Sequence, residues 1–405
     1  MTSLSFKQKA QQYLVLTGMA LFIGLLVGAI DMIFGQGLLL IGDFRSQHWP
    51  LILFLALAGL VIVYLYKRFG GKASKGMGLI FDVGHAREER IPLVLVPLIM
   101  LTTWMSHLFG GSVGREGVAV QIGATLSHRF ARHIKIPDAS RIFLMTGMAA
   151  GFAGLFQTPL AATFFALEVL TVGELQLIAL YPALIASIVA SFTSHALGLE
   201  KFAVPLKETL SWTPETLIKV ALLGLVFGLA GKLFAVSLSW LKKTVAKVLP
   251  NPYIRIAVIG AGLSLVLLTL QLTKVGSYSG LGTNLIDVAF HQGSAQSYDW
   301  ILKLLFTVVT ISAGYQGGEV TPLFAIGATL GVFLAPLLGL PVLVVAAIGY
   351  ASVFGSATTT LLAPILIGGE VFGYGNLPFF VIACAIAYCL PKEWSIYSGQ
   401  KVAKK

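Results

Sequence analysis

Glu116 is the residue best placed to do chemistry, because it sits in Gly114-Arg115-Glu116-Gly117 just ahead of an apolar run. A carboxylate at such a point can accept the free N–H groups of a starting helix, and it imitates a bound anion when ionised. Burial disfavours its charge while helix-start donors favour it, so both protonation states are within reach. An acid at bilayer depth is costly and is usually functional. The competing role is a local pair with Arg115.

Three glycine-dense segments, 70–84, 110–117 and 314–322, are unsuited to ordinary spanning helices, and each runs into an apolar stretch. Pro322 suits a helix first turn. Each segment therefore reads as a loop that enters the membrane and then begins a helix. Irregular backbone at that depth is tolerated only inside protein or around a cavity. Helix N-termini carry about half an elementary charge each, so several converging on one spot make an anion site without a full cation.

These loops must be positioned by membrane helices. Of 405 residues, 57% are apolar and 11% charged, and the mean hydropathy is +0.87. A soluble domain carries about 25% charged residues. Runs 13–35, 50–66, 91–110, 177–196, 217–240 and 254–272 approach or reach the roughly 20 residues of a spanning helix, and 300–313, 322–350 and 377–390 follow. The first run is too long for a signal segment and reads as a retained helix. The net charge of +11 lies between spans, at Lys7, Lys9, Lys67, Arg68, Arg129, Arg132, Lys135, Lys392, Lys401, Lys404 and Lys405. That pattern puts both termini in the cytoplasm and gives no nucleic-acid surface. Cys384 and Cys389 share one apolar segment and suggest neither a disulfide framework nor a metal site.

The chain repeats itself. Gly24-Leu25-Leu26-Val27-Gly28 matches Gly224-Leu225-Val226-Phe227-Gly228, Ile122–Leu126 recurs identically as Ile326–Leu330, and residues 152–168 match 354–370. The offsets are 200, 204 and 202, in the same order. Transporter repeats of this kind hold the substrate at their interface near the midplane. An odd number of crossings per half makes the second half inverted, in agreement with two cytoplasmic ends. The expected organisation is a first transmembrane repeat at 1–200, a linker at 201–212, a second repeat at 213–391, and a C-terminal cytoplasmic helix at 392–405. The Gly-x3-Gly pairs read as close-packing surfaces. Glu168 and Glu370 stand at equivalent places, which favours a shared structural role such as accepting free backbone N–H groups. Asp31 has no evident partner.

At this point the sequence resembles the CLC family of anion channels and anion/proton antiporters over essentially its whole length. The family's three filter segments look like Gly76-Met77-Gly78-Leu79-Ile80, Gly114-Arg115-Glu116-Gly117-Val118 and Gly318-Glu319-Val320-Thr321-Pro322, and its late tyrosine looks like Tyr397. Chloride-transporting members carry serine at Met77, proline at Ile80 and Val118, phenylalanine at Val320 and usually a smaller residue at Thr321. Their exchangers have a second glutamate where this chain has Val169. These departures look like the bacterial fluoride/proton antiporter branch.

The resemblance implies an all-α polytopic fold with two inverted repeats and broken, re-entrant helices. It implies Glu116 as the gating, proton-carrying residue, with Gly76, Met77, Gly114, Arg115, Gly117, Val118, Val320, Thr321 and Tyr397 around the anion and Glu319 as a possible proton path. Thr321 could instead cap a helix before Pro322, and Tyr397 could anchor at the interface. No cofactor is implied. The expected partners are fluoride, protons, the bilayer and a second copy, with small residues of 179–196 and 378–387 at the dimer contact. The expected role is fluoride export across the bacterial inner membrane. The rivals are a chloride/proton exchanger or chloride channel of the same fold. An intramembrane enzyme would require clustered polar residues, and the seven histidines are scattered.

Overall fold

The computed structural model describes residues 6–273 and 275–403; Lys404 and Lys405 of the basic tail lie outside them. The first half holds α1 (Phe6–Gln47), α2 (Leu55–Leu65), α3 (Met77–Gly84), α4 (Leu95–Leu108), α5 (Glu116–Ala131), α6 (Ala139–Phe156), α7 (Pro159–Glu168) and α8 (Leu180–Ala196). The second holds α9 (Pro214–Val248), α10 (Pro252–Leu272), α11 (Thr283–Asp287), α12 (Asp299–Ala313), α13 (Val320–Leu338), α14 (Val342–Thr358), α15 (Leu362–Phe372) and α16 (Leu377–Tyr388). Among the described residues, seven helical stretches are long and apolar enough to cross a bilayer. Two expected spans, 91–110 and 377–390, form shorter helices, α4 with 14 residues and α16 with 12, while α12, with 15, covers all of 300–313 but is short for a crossing. Glycines explain two of these stops. Gly110 (φ +86°) and Gly314 (φ +117°) take left-handed conformations that a side chain disfavours, and they turn the chain out of α4 and α12.

The sequence repeat has a structural counterpart. Gln157 ends α6 and Thr359 ends α14, both left-handed, at φ +57° and +56°. The carboxylate of Glu168, ending α7, accepts the N–H groups of Leu361, Leu362 and Ala363 at the start of α15, at 2.9, 3.1 and 2.8 Å. Glu370 returns the arrangement, accepting Leu160 and Ala161 at the start of α7 at 3.1 and 2.8 Å. Each half thus caps a broken helix of the other, which is the shared role their positions suggested.

The repeated glycines are contact points. A Cβ on Gly123 would lie 2.0 Å from the Gly147 carbonyl oxygen, and one on Gly327 would lie 2.1 Å from that of Gly349. The α5–α6 and α13–α14 backbones therefore meet without side chains between them. Gly123→Ala is expected to cost about 3 kcal/mol of thermal stability in detergent, since backbone would have to move. Gly262→Ala, on the open face of α10, should be neutral or slightly stabilising. Equal effects at the two positions would refute the close-packing account.

Two expectations are corrected. Residues 392–405 form no helix where described. They run as turns and a short strand β2 (Lys401–Val402) that pairs in parallel with β1 (Thr171–Val172). Pro391, Ser395, Ser398 and Gly399 favour turns, and the segment's N–H groups have outside partners: Ile396 donates to Ala357 and Lys401 to Leu170. The small residues assigned to a dimer contact are used inside the chain. Gly24 faces Ala186 and Val189 of α8, Gly28 faces Ala190, and Gly224 and Gly228 face Ala383 and Ala387 of α16. Large apolar side chains remain outward on these helices, among them Ile188, Phe192 and Val381.

Candidate functional site

The loops ahead of α5 and α13 meet head to head. Gly114 N–H donates to the Gly318 carbonyl at 2.5 Å, and Gly318 N–H donates back to Gly114 at 2.7 Å. Side chains would obstruct this approach: a Cβ on Gly114 would lie 2.8 Å from Pro322 and 3.0 Å from the Gly318 oxygen. The positive ends of two helices consequently face one point.

Glu116 occupies that point. It is 1% exposed, and its Oε2 accepts three donors: Thr321 Oγ1 at 2.6 Å, Thr321 N–H at 3.1 Å and Arg115 N–H at 3.3 Å. Its other oxygen, Oε1, lies 3.6 Å from Arg115 Nε and has no hydrogen-bond partner among the described residues. The local Arg115 pair and the cross-repeat site therefore coexist. Thr321 is the second residue of α13, with Glu319 at the N-cap, so its hydroxyl serves the carboxylate and does not cap the helix. Removing a hydroxyl donor to a charged group costs about 1.5–3 kcal/mol. Thr321→Val should therefore lower proton-coupled anion transport about tenfold or more, while Thr321→Ser should retain most of it. Unchanged rates in the valine variant would remove the hydroxyl from the site.

A cavity of about 770 Å³ leads to this carboxylate, with Arg115, Glu116, Thr321, Tyr350 and Phe156 among its walls. Arg45 and Lys201 also line it, with Asp43, Glu200 and Asp287 as acidic counterweights. The cavity wall is not a cationic funnel, so affinity for an anion must come from the close donors at its floor. Asp43 and Arg45 belong to the far end of α1, so the cavity opens on the face opposite the start of α1.

The remaining sequence-identified residues surround this centre at different depths. Val118 and Val320 are buried beside Glu116 and Thr321. Gly117 faces Gly318 and the Glu319 carboxylate, which would lie 3.7 Å from an added Cβ. Glu319 forms no ion pair within 4 Å among the described residues. Gly76 and Met77 open α3, whose start lies against the Gln121 side chain of α5, and that side chain donates back to the Gly117 carbonyl at 3.0 Å, next to Glu116. The starts of α5 and α13 supply the direct donors to the carboxylate. Tyr397 is no interfacial anchor. Its ring is buried against Phe81 of α3 (5.4 Å) and Phe165 of α7 (6.4 Å), and its hydroxyl has no hydrogen-bond partner among the described residues. Asp31 is fully buried against Gly154, and its carboxylate likewise has none among the described residues.

Sequence reading missed the support of the Glu116 loop. Along one face of α12, Lys303 Nζ donates to Ser112 Oγ at 2.9 Å, Thr307 shares a hydrogen bond with the same hydroxyl, and Thr310 Oγ1 accepts Ser112 N–H. Lys303 also donates to the carbonyls of Tyr278 and Gly280, in the cavity wall. The spacing Lys-x3-Thr-x2-Thr on an otherwise apolar helix was the available signal, since it puts all three on one face.

Known proteins resemble this chain in sequence and in fold. The family described as voltage gated chloride channel matches residues 58–392. A chloride/fluoride channel protein of Pseudomonas syringae pv. tomato is 37% identical over 96% of this chain and 86% of its own length. A voltage-gated ClC-type chloride channel ClcB of Salmonella typhimurium is 26% identical over 77% and 74%. The crystal structure of a CLC-type fluoride/proton antiporter is 50% identical, with TM-score 0.94, covering 99% of this chain and all of that one. A slow cyanobacterial Cl−/H+ antiporter shares the fold at TM-score 0.76 and 21% identity, covering 92% and 93%.

Proposed function

Because the chain belongs to the voltage gated chloride channel family, we propose from that premise that it is a membrane antiporter exchanging fluoride for protons, with Glu116 as the group both ions engage. The observation that carries this reading is the convergence of three donors on one oxygen atom, Glu116 Oε2. Three N–H and O–H groups aimed at a single atom suit a monatomic anion as well as they suit that oxygen. Fluoride is small and firmly hydrated, so only short, strong donors replace its water. The 2.6 Å Thr321 hydroxyl contact supplies one of that kind.

An ionised Glu116 holds the position and keeps anions out. On protonation it loses negative charge and becomes a donor, its claim on Thr321 weakens, and a fluoride can take its place. Return of the carboxylate displaces the anion and delivers the proton. Each exchange therefore couples one group's charge to the passage of the other ion. Val169, where a second carboxylate would relay protons, leaves Glu116 and water to carry them. Met77 puts a thioether at the start of α3 where the resembling chloride transporters carry a hydroxyl, and Val320, buried beside Thr321, puts a smaller side chain where they carry an aromatic ring.

The same reading puts the protein in the bacterial inner membrane with both ends cytoplasmic. The basic residues at 67–75 and 129–135 lie at the face of α1's beginning, and the cavity opens outward. Inward proton flow then drives fluoride out. A homodimer with one pathway per subunit would cover the outward apolar side chains of α8 and α16, and detergent sizing that gave only monomers would argue against it. Ion-selective-electrode efflux from proteoliposomes loaded with fluoride or chloride tests the cargo. Fluoride efflux at least tenfold faster is expected, and chloride efflux at an equal or greater rate would favour a chloride exchanger of the same fold.

A further inference from the structure

We propose that a small pocket between the ends of α5 and α4 binds the phosphate headgroup of an anionic phospholipid. The pocket, about 160 Å³, is lined by Glu89, Arg90, His128, Arg129, Arg132 and Ser140. It therefore gathers three guanidinium groups from two separate segments, the loop before α4 and the last turn of α5.

Among the described residues none of the three arginines forms an ion pair within 4 Å, although Glu89 shares the pocket and Arg132 Nε contacts His133. Desolvation and the charges of Arg129 and Arg90 hold the Arg132 guanidinium below its usual range, so the three lie close enough to oppose one another. Holding like charges together is unfavourable unless an anion joins them. Planar guanidinium groups match phosphate oxygens with paired N–H bonds, which makes phosphate the fitting anion. His128 is fixed by Ser140 at 2.8 Å, so the pocket's inner wall is set within the fold.

The location selects a lipid over a dissolved phosphate. α5 has 16 residues from Glu116 to Ala131, about 24 Å of rise, which carries its end from the buried site to a membrane face. The first half of α1 packs there too: Leu16 and Ala20 join Ala131 and Ala139 in one apolar cluster, and Phe22 meets Phe130 edge-on. Beside the pocket the chain turns outward and apolar at once, with Leu93 44% and Val94 37% exposed only three and four residues after Arg90. A headgroup in the arginine pocket would leave its acyl chains along those side chains. Basic pockets of this kind, at the cytoplasmic ends of membrane helices, recognise acidic headgroups.

The test uses the full-length protein and native mass spectrometry after exchange into equal amounts of phosphatidylglycerol and phosphatidylcholine. Wild type should retain phosphatidylglycerol on the order of tenfold over phosphatidylcholine. The Arg90→Gln/Arg129→Gln/Arg132→Gln variant should lose that preference, and Glu89→Gln should strengthen it. A control carrying Lys7→Gln, Lys9→Gln and Lys135→Gln removes equal charge from the same face outside the pocket and should keep most of the preference. Equal losses in the two triple variants would overturn the proposal, since any basic face would then suffice. Stabilisation by inorganic phosphate in phosphatidylcholine that matched phosphatidylglycerol would overturn the lipid assignment. Anion efflux from phosphatidylcholine vesicles reports that each variant is folded.

Discussion

Glu116→Gln is expected to abolish proton-coupled fluoride movement, with proton uptake falling at least a hundredfold, to the level of protein-free vesicles. Glutamine keeps the shape and one acceptor oxygen, so Thr321 and Arg115 retain a partner and the fold should lose little stability. What disappears is the alternation between an anionic acceptor and a neutral donor. A neutral amide competes less well for charge-seeking donors, since hydrogen bonds to an ion are roughly twice as strong as those between neutral groups. It also has no proton to deliver at any accessible pH. Thermal unfolding within about 1 kcal/mol of wild type would confirm that chemistry, not structure, was removed. Residual coupling in this variant would transfer the proton-carrying role elsewhere, with Glu319, whose carboxylate faces Gly117, the next candidate.

The second large effect is structural. Glu168→Ala leaves three N–H groups at the start of α15, two part-buried and one buried, without their acceptor. Each orphaned donor costs about 1–3 kcal/mol, and part is recovered by relaxation, so a loss of about 3–5 kcal/mol is expected. Glu370→Ala frees only two donors, at a half-exposed position, and should cost clearly less. Thermal unfolding in one detergent reads both. Because the two carboxylates cap opposite halves, loss at either site loosens the join between repeats as well as the local helix. Equal, small effects would mean that the crossed caps are incidental.

Much of this was legible in the sequence because glycine and charge are rare enough in a membrane chain to carry meaning. Glycines at 114, 117, 317 and 318 marked the loops that meet, and the matching order of three segments marked the halves. The acid at 116 stood out because bilayer depth makes it expensive. What was not legible depended on pairing across long separations. Ser112 and Lys303 lie 191 residues apart, and nothing local to either names the other. The final segment is expected as a helix although its few residues give no helical period to support one. Its N–H groups bond instead to Ala357, Leu170 and Val172, which only the folded chain brings near. Small residues on α8 and α16 did mark a close contact, but the sequence could not say whether the neighbour was the same chain or another. The start of α3 reaches the site through a partner that no local pattern names: it lies against the Gln121 side chain, which bonds back to Gly117 beside Glu116.

The central claim is that one buried carboxylate ties fluoride to protons. Vesicles containing the purified protein, loaded with fluoride and placed in fluoride-free buffer of slightly higher pH than the interior, test it directly. Fluoride leaving should drag protons inward against their gradient, so the outside turns more alkaline at a rate proportional to efflux, and a protonophore should abolish the pH difference. Fluoride efflux at full rate with no proton uptake would contradict the account.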